Sequence, residues 1–346
     1  MFNRTLGILA LVSAVGVLYG CYLVNNEKSF EVKPGAERLR FAFIVSGSLR
    51  SLVRDDVRDL QREALFEPLA GSHIDIFLNL DLDETTKNST VVQKLKQDYR
   101  PKRLVIKTYE CQDNCEVPGC LSNAITTSRT FEQLQRLQDV MVSIQAEERS
   151  IGIDYDFIIR VRPDLEFYES LPRLECWKLI PDMIIWDLDA RFSDSHEHLM
   201  ISHVVPATDV KFLGDWFTVV PRKLATKFFS DPFKQLKDCV SLDPQNTGSH
   251  TCGTKNEFWL FPECRFLVSA QKLNAHIGKL MDEGDGSKYI PHTIIRCDGP
   301  FCQSVYRMNG PRFCDSRVCE YPPVEHVPVG SNFSVRQTCF HGFPPH

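Results

Sequence analysis

Charge of one sign is scarce in this sequence. Forty Lys and Arg face 45 Asp and Glu, for a formal net charge of −5, and no long block of like charge occurs. That balance excludes a basic arm or an acidic tail, and it gives no reason to expect nucleic acid or another polyanion as partner. Internal repeats and low-complexity tracts are also absent, so the chain is not a repeat array. A nucleophile elbow, an HExxH segment and a Cys/His pair in suitable context are missing too, which leaves a secreted hydrolase without its reacting groups. The two-residue cysteine gaps that zinc ribbons prefer are likewise lacking. What is present is an ordinary globular composition, 43% apolar and 25% charged. At 346 residues, one large α/β domain or two smaller ones would each have a full core.

Against this even background, residues 6–24 (LGILALVSAVGVLYGCYLV) contain no ionisable group except Tyr and Cys. At 1.5 Å per residue such a run covers roughly the ~30 Å hydrocarbon core of a bilayer. Arg4 and the amino terminus precede it, while Glu27, Lys28, Glu31 and Lys33 cancel after it. The positive-inside rule then places the N-terminus in the cytosol. The expectation is a single uncleaved signal-anchor with residues 1–5 as a cytosolic tail. A cleaved signal peptide and a lipoprotein box at Leu18-Tyr19-Gly20-Cys21 are the competing readings.

Of thirteen cysteines, Cys21 lies in the apolar run and twelve lie downstream, eight of them between Cys239 and Cys339. In an oxidising lumen these read as up to six disulfides. Buried free thiols are one alternative. Zinc is another, through Cys297-x4-Cys302 and Cys314-x4-Cys319. Asn88-Ser89-Thr90 and Asn332-Phe333-Ser334 are sequons that a lumenal domain can use.

Residues 25–38 read as a polar stem, and the folded region is expected over 39–346, with 239–346 a cysteine-rich extension. Apolar runs at 39–45, 74–80, 104–109, 157–161, 183–186 and 216–220 predict strands. A helical stripe follows the first of them. Thr130 to Arg149 predicts the best helix: Thr130 and Gln133 have capping-box spacing, Phe131, Leu134, Leu137, Met141 and Ile144 form a stripe, and Gly152 ends it. Strands alternating with helices argue for an α/β fold with a mainly parallel, twisted sheet and helices on both faces.

The most specific stretch is residues 155–167, YDFIIRVRPDLEF. Its strand delivers Arg160, Arg162, Asp164 and Glu166 to the carboxyl edge of the sheet, where open α/β sheets bind ligands. Alternation puts the four on one side for as long as the strand lasts, with Pro163 a possible break. Two arginines can grip a diphosphate, and a carboxylate can hold a bridging cation. An Arg–Asp pair closing the strand end is the structural alternative.

The order of a strand with SGxLR, a helix, a DIFLN-type strand, a long helix and then YDxIIRxRPDL resembles GT-A-class glycosyltransferases. More closely it resembles the group related to bacterial lipopolysaccharide-synthesis transferases. The likeness spans Leu39 to Phe266. It implies a nucleotide-sugar donor, a glycan or glycoconjugate acceptor, and a single-pass type II protein of the Golgi or ER membrane with its catalytic domain in the lumen. It also implies a metal-binding DxD motif where this chain has Arg162-Pro163-Asp164. Either Asp164 with Glu166 holds Mn2+ or Mg2+, or Arg160 and Arg162 neutralise the phosphates without metal. By the same likeness Ser46, Gly47 and Arg50 line the nucleotide pocket, although a lone Gly also suits an ordinary tight turn. Asp81-Leu82-Asp83 and Asp187-Leu188-Asp189 share the DxD form, as loop aspartates often do. Gly214-Asp215-Trp216-Phe217 resembles the acceptor side, with Asp215 the first and Glu257 the second choice of base. A strand-start cap and plain core are the alternatives for Asp215 and Trp216. His292, His326 and His341 sit in the cysteine-rich part as ordinary histidines or a metal ligand. The rival function is a catalytically inactive lectin-like or scaffold protein on the same fold.

Overall fold

The computed structural model describes residues 38–81, 89–107, 125–167, 169–171, 183–186, 191–192, 204–238, 262–279, 292–298, 301–305, 319–320 and 336–337. The chain divides into Met1–Glu37 and Arg38–His346, and all described residues belong to the second unit. The expected anchor and stem therefore lie outside the described residues. Among the described residues no helix is long and apolar enough to cross a membrane.

In chain order the elements are β1 (Arg40–Ser48), α1 (Asp55–Gln61), β2 (His73–Asp81), α2 (Ser89–Tyr99), β3 (Arg103–Lys107), α3 (Ile125–Ile151) and β4 (Phe157–Val161). Then follow β5 (Leu165–Phe167), β6 (Glu169–Ser170), β7 (Met183–Trp186), β8 (Arg191–Phe192), β9 (Val204–Pro206), β10 (Val210–Phe212), β11 (Phe217–Pro221) and α4 (Arg222–Lys237). The remaining elements include α5 (Pro262–Lys272), β12 (His276–Lys279), β13 (His292–Asp298), β14 (Phe301–Val305) and β15 (Cys319–Glu320).

The main sheet runs β3-β2-β1-β4-β11-β7-β12-β9. Its first four strands are parallel. The sheet is mixed beyond them: β11 lies antiparallel to both β4 and β7, β12 is parallel to β7, and β9 is antiparallel to β12. The α/β expectation holds at this level, and every predicted strand is present within a few residues. Alternation along β1 divides the core in two. Ala42 and Ile44 join α3, α4 and α5 on one face, while Phe41, Phe43 and Val45 join α1 and α2 on the other. A sheet covered on both faces explains why its central strands read as unbroken apolar runs.

Helix α3 differs from the sequence reading, and α4 is a helix that the sequence reading did not include. Helix α3 begins at Ile125, so Thr130 lies inside it and no capping box forms there. Gly152 does end it, with φ of 70° and its N–H donated to the Glu148 carbonyl at 2.8 Å. Helix α4 carries Pro232 in its interior, which costs about 3 kcal/mol in an isolated helix. Burial of Phe228, Phe229, Phe233 and Leu236 outweighs that at roughly 1.5–3 kcal/mol each.

Candidate functional site

The strand order places the first strand, β1, between β2 and β4. The chain moves outward from β1 through β2 to β3, then returns to the other side of β1 as β4. That return sets the carboxyl ends of β1 and β4 side by side where the strand order reverses, the position at which open α/β sheets bind ligands. Gly47 and Ser48 close β1 there, and Val161-Arg162-Pro163-Asp164 leave β4 beside them.

Arg160 still belongs to β4 and is 1% exposed, with its guanidinium 5.3 Å from the centre of the Phe266 ring on α5. Beyond Val161 the strand stops, so simple alternation no longer governs the next residues. Instead the Arg162 side chain folds onto Asp164, donating from Nε at 2.9 Å and from Nη2 at 2.7 Å. Its third nitrogen, Nη1, reaches the Asp215 carboxylate at 3.2 and 3.4 Å. Asp215 also accepts from Gln133 Nε2 on α3 at 2.6 Å and has Arg160 Nη2 at 3.8 Å. Segments far apart in the chain thus meet at one sheet edge. Thr218 pairs with Arg160 across β4 and β11, and its buried hydroxyl has no hydrogen-bond partner among the described residues.

The charges in this knot control one another. Burial opposes the charge on Arg162, but Asp164 and Asp215 outweigh it and raise its pKa above the usual value. Burial would raise the Asp215 pKa, yet the Arg162 and Arg160 guanidiniums and the Gln133 hydrogen bond bring it below the ordinary carboxylate range. Asp215 is therefore ionised at neutral pH and, while Arg162 holds it, a weak base.

No family model matches the chain, and no curated protein matches its sequence.

Of the residues expected from sequence, Arg160, Arg162, Asp164 and Asp215 come together. Ser46 is buried near the end of β1, in register with Asn79 of β2. Gly47 has φ of 146°, and a Cβ there would stand 2.9 Å from Cδ of Pro163. Its glycine character is thus explained by the close approach of the Pro163 ring. Trp216 and Phe217 are buried in the α1/α2 core, the plain-core alternative for Trp216, and neither ring face is open to a sugar. The side chains of Arg50 and Glu166, and all of Glu257, Asp187 and Asp189, lie outside the described residues.

A hard divalent cation needs several oxygen ligands at about 2.0–2.6 Å. Both Asp164 oxygens already accept from Arg162, and both Asp215 oxygens face guanidiniums. Among the described residues no group of three or more His, Cys, Asp or Glu could hold a metal. Of the expected metal pair, Asp164 is held by Arg162, and the Glu166 side chain lies outside the described residues.

Two supporting residues escaped the sequence reading. Gln133 was noticed only for capping, whereas it orients Asp215. Gln61, fully buried on α1, donates Nε2 to the carbonyls of Pro163 at 3.3 Å and Leu165 at 2.8 Å, and accepts from Tyr99 Oη at 2.9 Å. It holds the turn that carries Asp164. A glutamine beside Val57, Ala64 and Leu65 on the buried face was the signal for it. A separate cleft of about 300 Å³, lined in part by Phe77, Asn79, Arg103, Lys107 and Asp139, contains none of the expected site residues.

Proposed function

We propose that this chain is a glycosyltransferase that binds a nucleotide-sugar diphosphate at the switch point between β1 and β4 and passes the sugar to a glycan or glycoconjugate. The observation that supports it most is the coincidence of the two arginines and two carboxylates with that reversal of strand order. In this reading Arg162, the partly exposed member, shares its fork with the diphosphate, and Arg160 adds charge from beneath. A phosphate that draws Nη1 from Asp215 would return basicity to that carboxylate, which then accepts the acceptor hydroxyl proton. The glycosidic bond forms to the acceptor oxygen as the bond from sugar to diphosphate breaks. The arginines replace a metal as counter-charge. The protein is placed, again as a proposal, in the Golgi or ER membrane by one N-terminal helix.

One observation favours the rival, an inactive lectin-like or scaffold protein: Arg162 and Asp164 already satisfy each other. A panel of nucleotide sugars offered to the detergent-solubilised full chain, with Mn2+ or with EDTA, separates the readings. Turnover of one donor is expected, with EDTA changing the rate less than about twofold. Arg162→Lys should lose nearly as much as Arg162→Ala, on the order of 100-fold, because lysine cannot reproduce a fork. Failure to turn over or bind any donor would leave the scaffold reading, and loss in EDTA restored by Mn2+ would overturn the arginine-only site.

A further inference from the structure

The cysteines are a prominent sequence feature that the proposed activity does not use. Cys264, buried on α5, is disulfide-bonded, so thiol oxidation belongs to this fold. A second pair is set up by backbone register alone. In the hairpin β13–β14, Asp298 pairs with Phe301 and Cys297 pairs with Cys302, leaving two residues between the innermost partners. Directly opposed residues alternate between pairs that exchange hydrogen bonds, at about 5.5 Å between Cα atoms, and pairs that do not, at about 4.5 Å. The innermost pair of a two-residue hairpin is of the first kind, so Cys297 and Cys302 form the closer kind.

Either spacing falls within the roughly 4.4–6.8 Å that a disulfide spans. The competing partner is Cys319 on β15, which pairs with Ser304 and so stands diagonal to Cys302. Diagonal neighbours are about 7–8 Å apart, beyond that span. Among the three cysteines on the described strands of this sheet, the register therefore favours the Cys297–Cys302 pairing.

We propose that Cys297 and Cys302 form a cross-strand disulfide that braces the site from outside. Two thiols yield two protons and two electrons to a disulfide-bearing oxidant such as glutathione disulfide, which becomes two thiols as the S–S bond forms. The bracing follows from the sheet order. Strand β13 is the antiparallel partner of β5, with Ile294 opposite Leu165, Thr293 opposite Glu166 and His292 opposite Phe167. Strand β5 begins at the residue after Asp164, so stiffening the hairpin stiffens the support of the Arg162–Asp164 turn.

Peptide mapping of the full chain, alkylated without reduction, tests this independently of any activity. Cleavage after Arg296 and Arg307 releases residues 297–307, CDGPFCQSVYR, whose only cysteines are these two. The expected peptide is unalkylated and two hydrogens lighter than its reduced form. A chymotryptic cut after Phe301 should leave its halves joined until reduction. The double variant Cys297→Ser/Cys302→Ser should melt several degrees lower. Alkylation of both thiols in the native protein, a link from either to Cys319, thiols released only by a zinc chelator, or an unchanged melting temperature would each overturn the proposal.

Discussion

At the scale of single residues, Asp215 is the most informative group because its protonation couples to stability. Its folded pKa is depressed: burial alone would raise it, and Arg162 and Arg160 more than offset that. The associated stabilisation is fully present above the unfolded pKa, near about 4, and is lost as pH falls through the lower folded value. Asp215→Asn should cost on the order of 3 kcal/mol at neutral pH. The wild-type advantage over this variant should stay flat from neutral pH to about 4 and shrink below it. Urea titrations of both proteins across that range measure the difference. A difference that shrank on alkaline titration instead would contradict the ion-pair assignment.

Gly47 makes a second case at this scale. Gly47→Ala meets both the Pro163 ring and an unfavourable φ, and it should destabilise by ~2–4 kcal/mol. Adding Pro163→Ala should recover the steric part and leave the conformational part, so the two changes will be non-additive. Chemical denaturation of the single and double variants gives the coupling directly.

Among the elements, the join between α3 and α4 rests on a buried ion pair. Arg222 at the start of α4 donates Nε and Nη2 to the two Glu148 oxygens at 2.5 and 2.6 Å, and Nη1 to Thr226 at 2.9 Å. Glu148 also accepts the Tyr155 N–H at 3.1 Å, just before β4. Removing the cation would strand a carboxylate that is almost fully buried. Arg222→Ala should therefore cost about 3 kcal/mol, and circular dichroism melts should show it. Under the proposed function, donor binding should survive among the molecules that fold, because this pair lies at the amino end of β4, opposite the Arg162 turn. Helix α4 makes a related point about legibility. Pro232 hid it from a propensity reading, and its apolar face becomes decisive only with α3 and α5 to pack against.

For the whole molecule, the sheet separates two cores, with α3, α4 and α5 on one side and α1 and α2 on the other. The carboxyl ends of β1 and β4 meet where the winding changes direction. Legibility in the sequence followed the range of the forces involved. Strand identity, the long helix and its Gly152 stop were readable because apolar runs, helical stripes and a left-handed glycine are written in consecutive residues. So was the candidacy of Arg160, Arg162, Asp164 and Asp215, since those residue types at a strand edge carry one chemistry. Partner choice was not readable. An Arg–Asp pair at the strand end and a core Trp216 stood among the alternatives, but that Arg162 would also reach Asp215, that Gln133 would leave its capping role to hold Asp215, and that Gly47 would make room for Pro163 depended on which distant segments met. Local pattern determined the elements of this protein and the residues offered at its sheet edge. Tertiary structure alone decided how they pair, because ion pairs and close packing act only across a few ångströms and the chain brings those atoms together only when the whole sheet has formed.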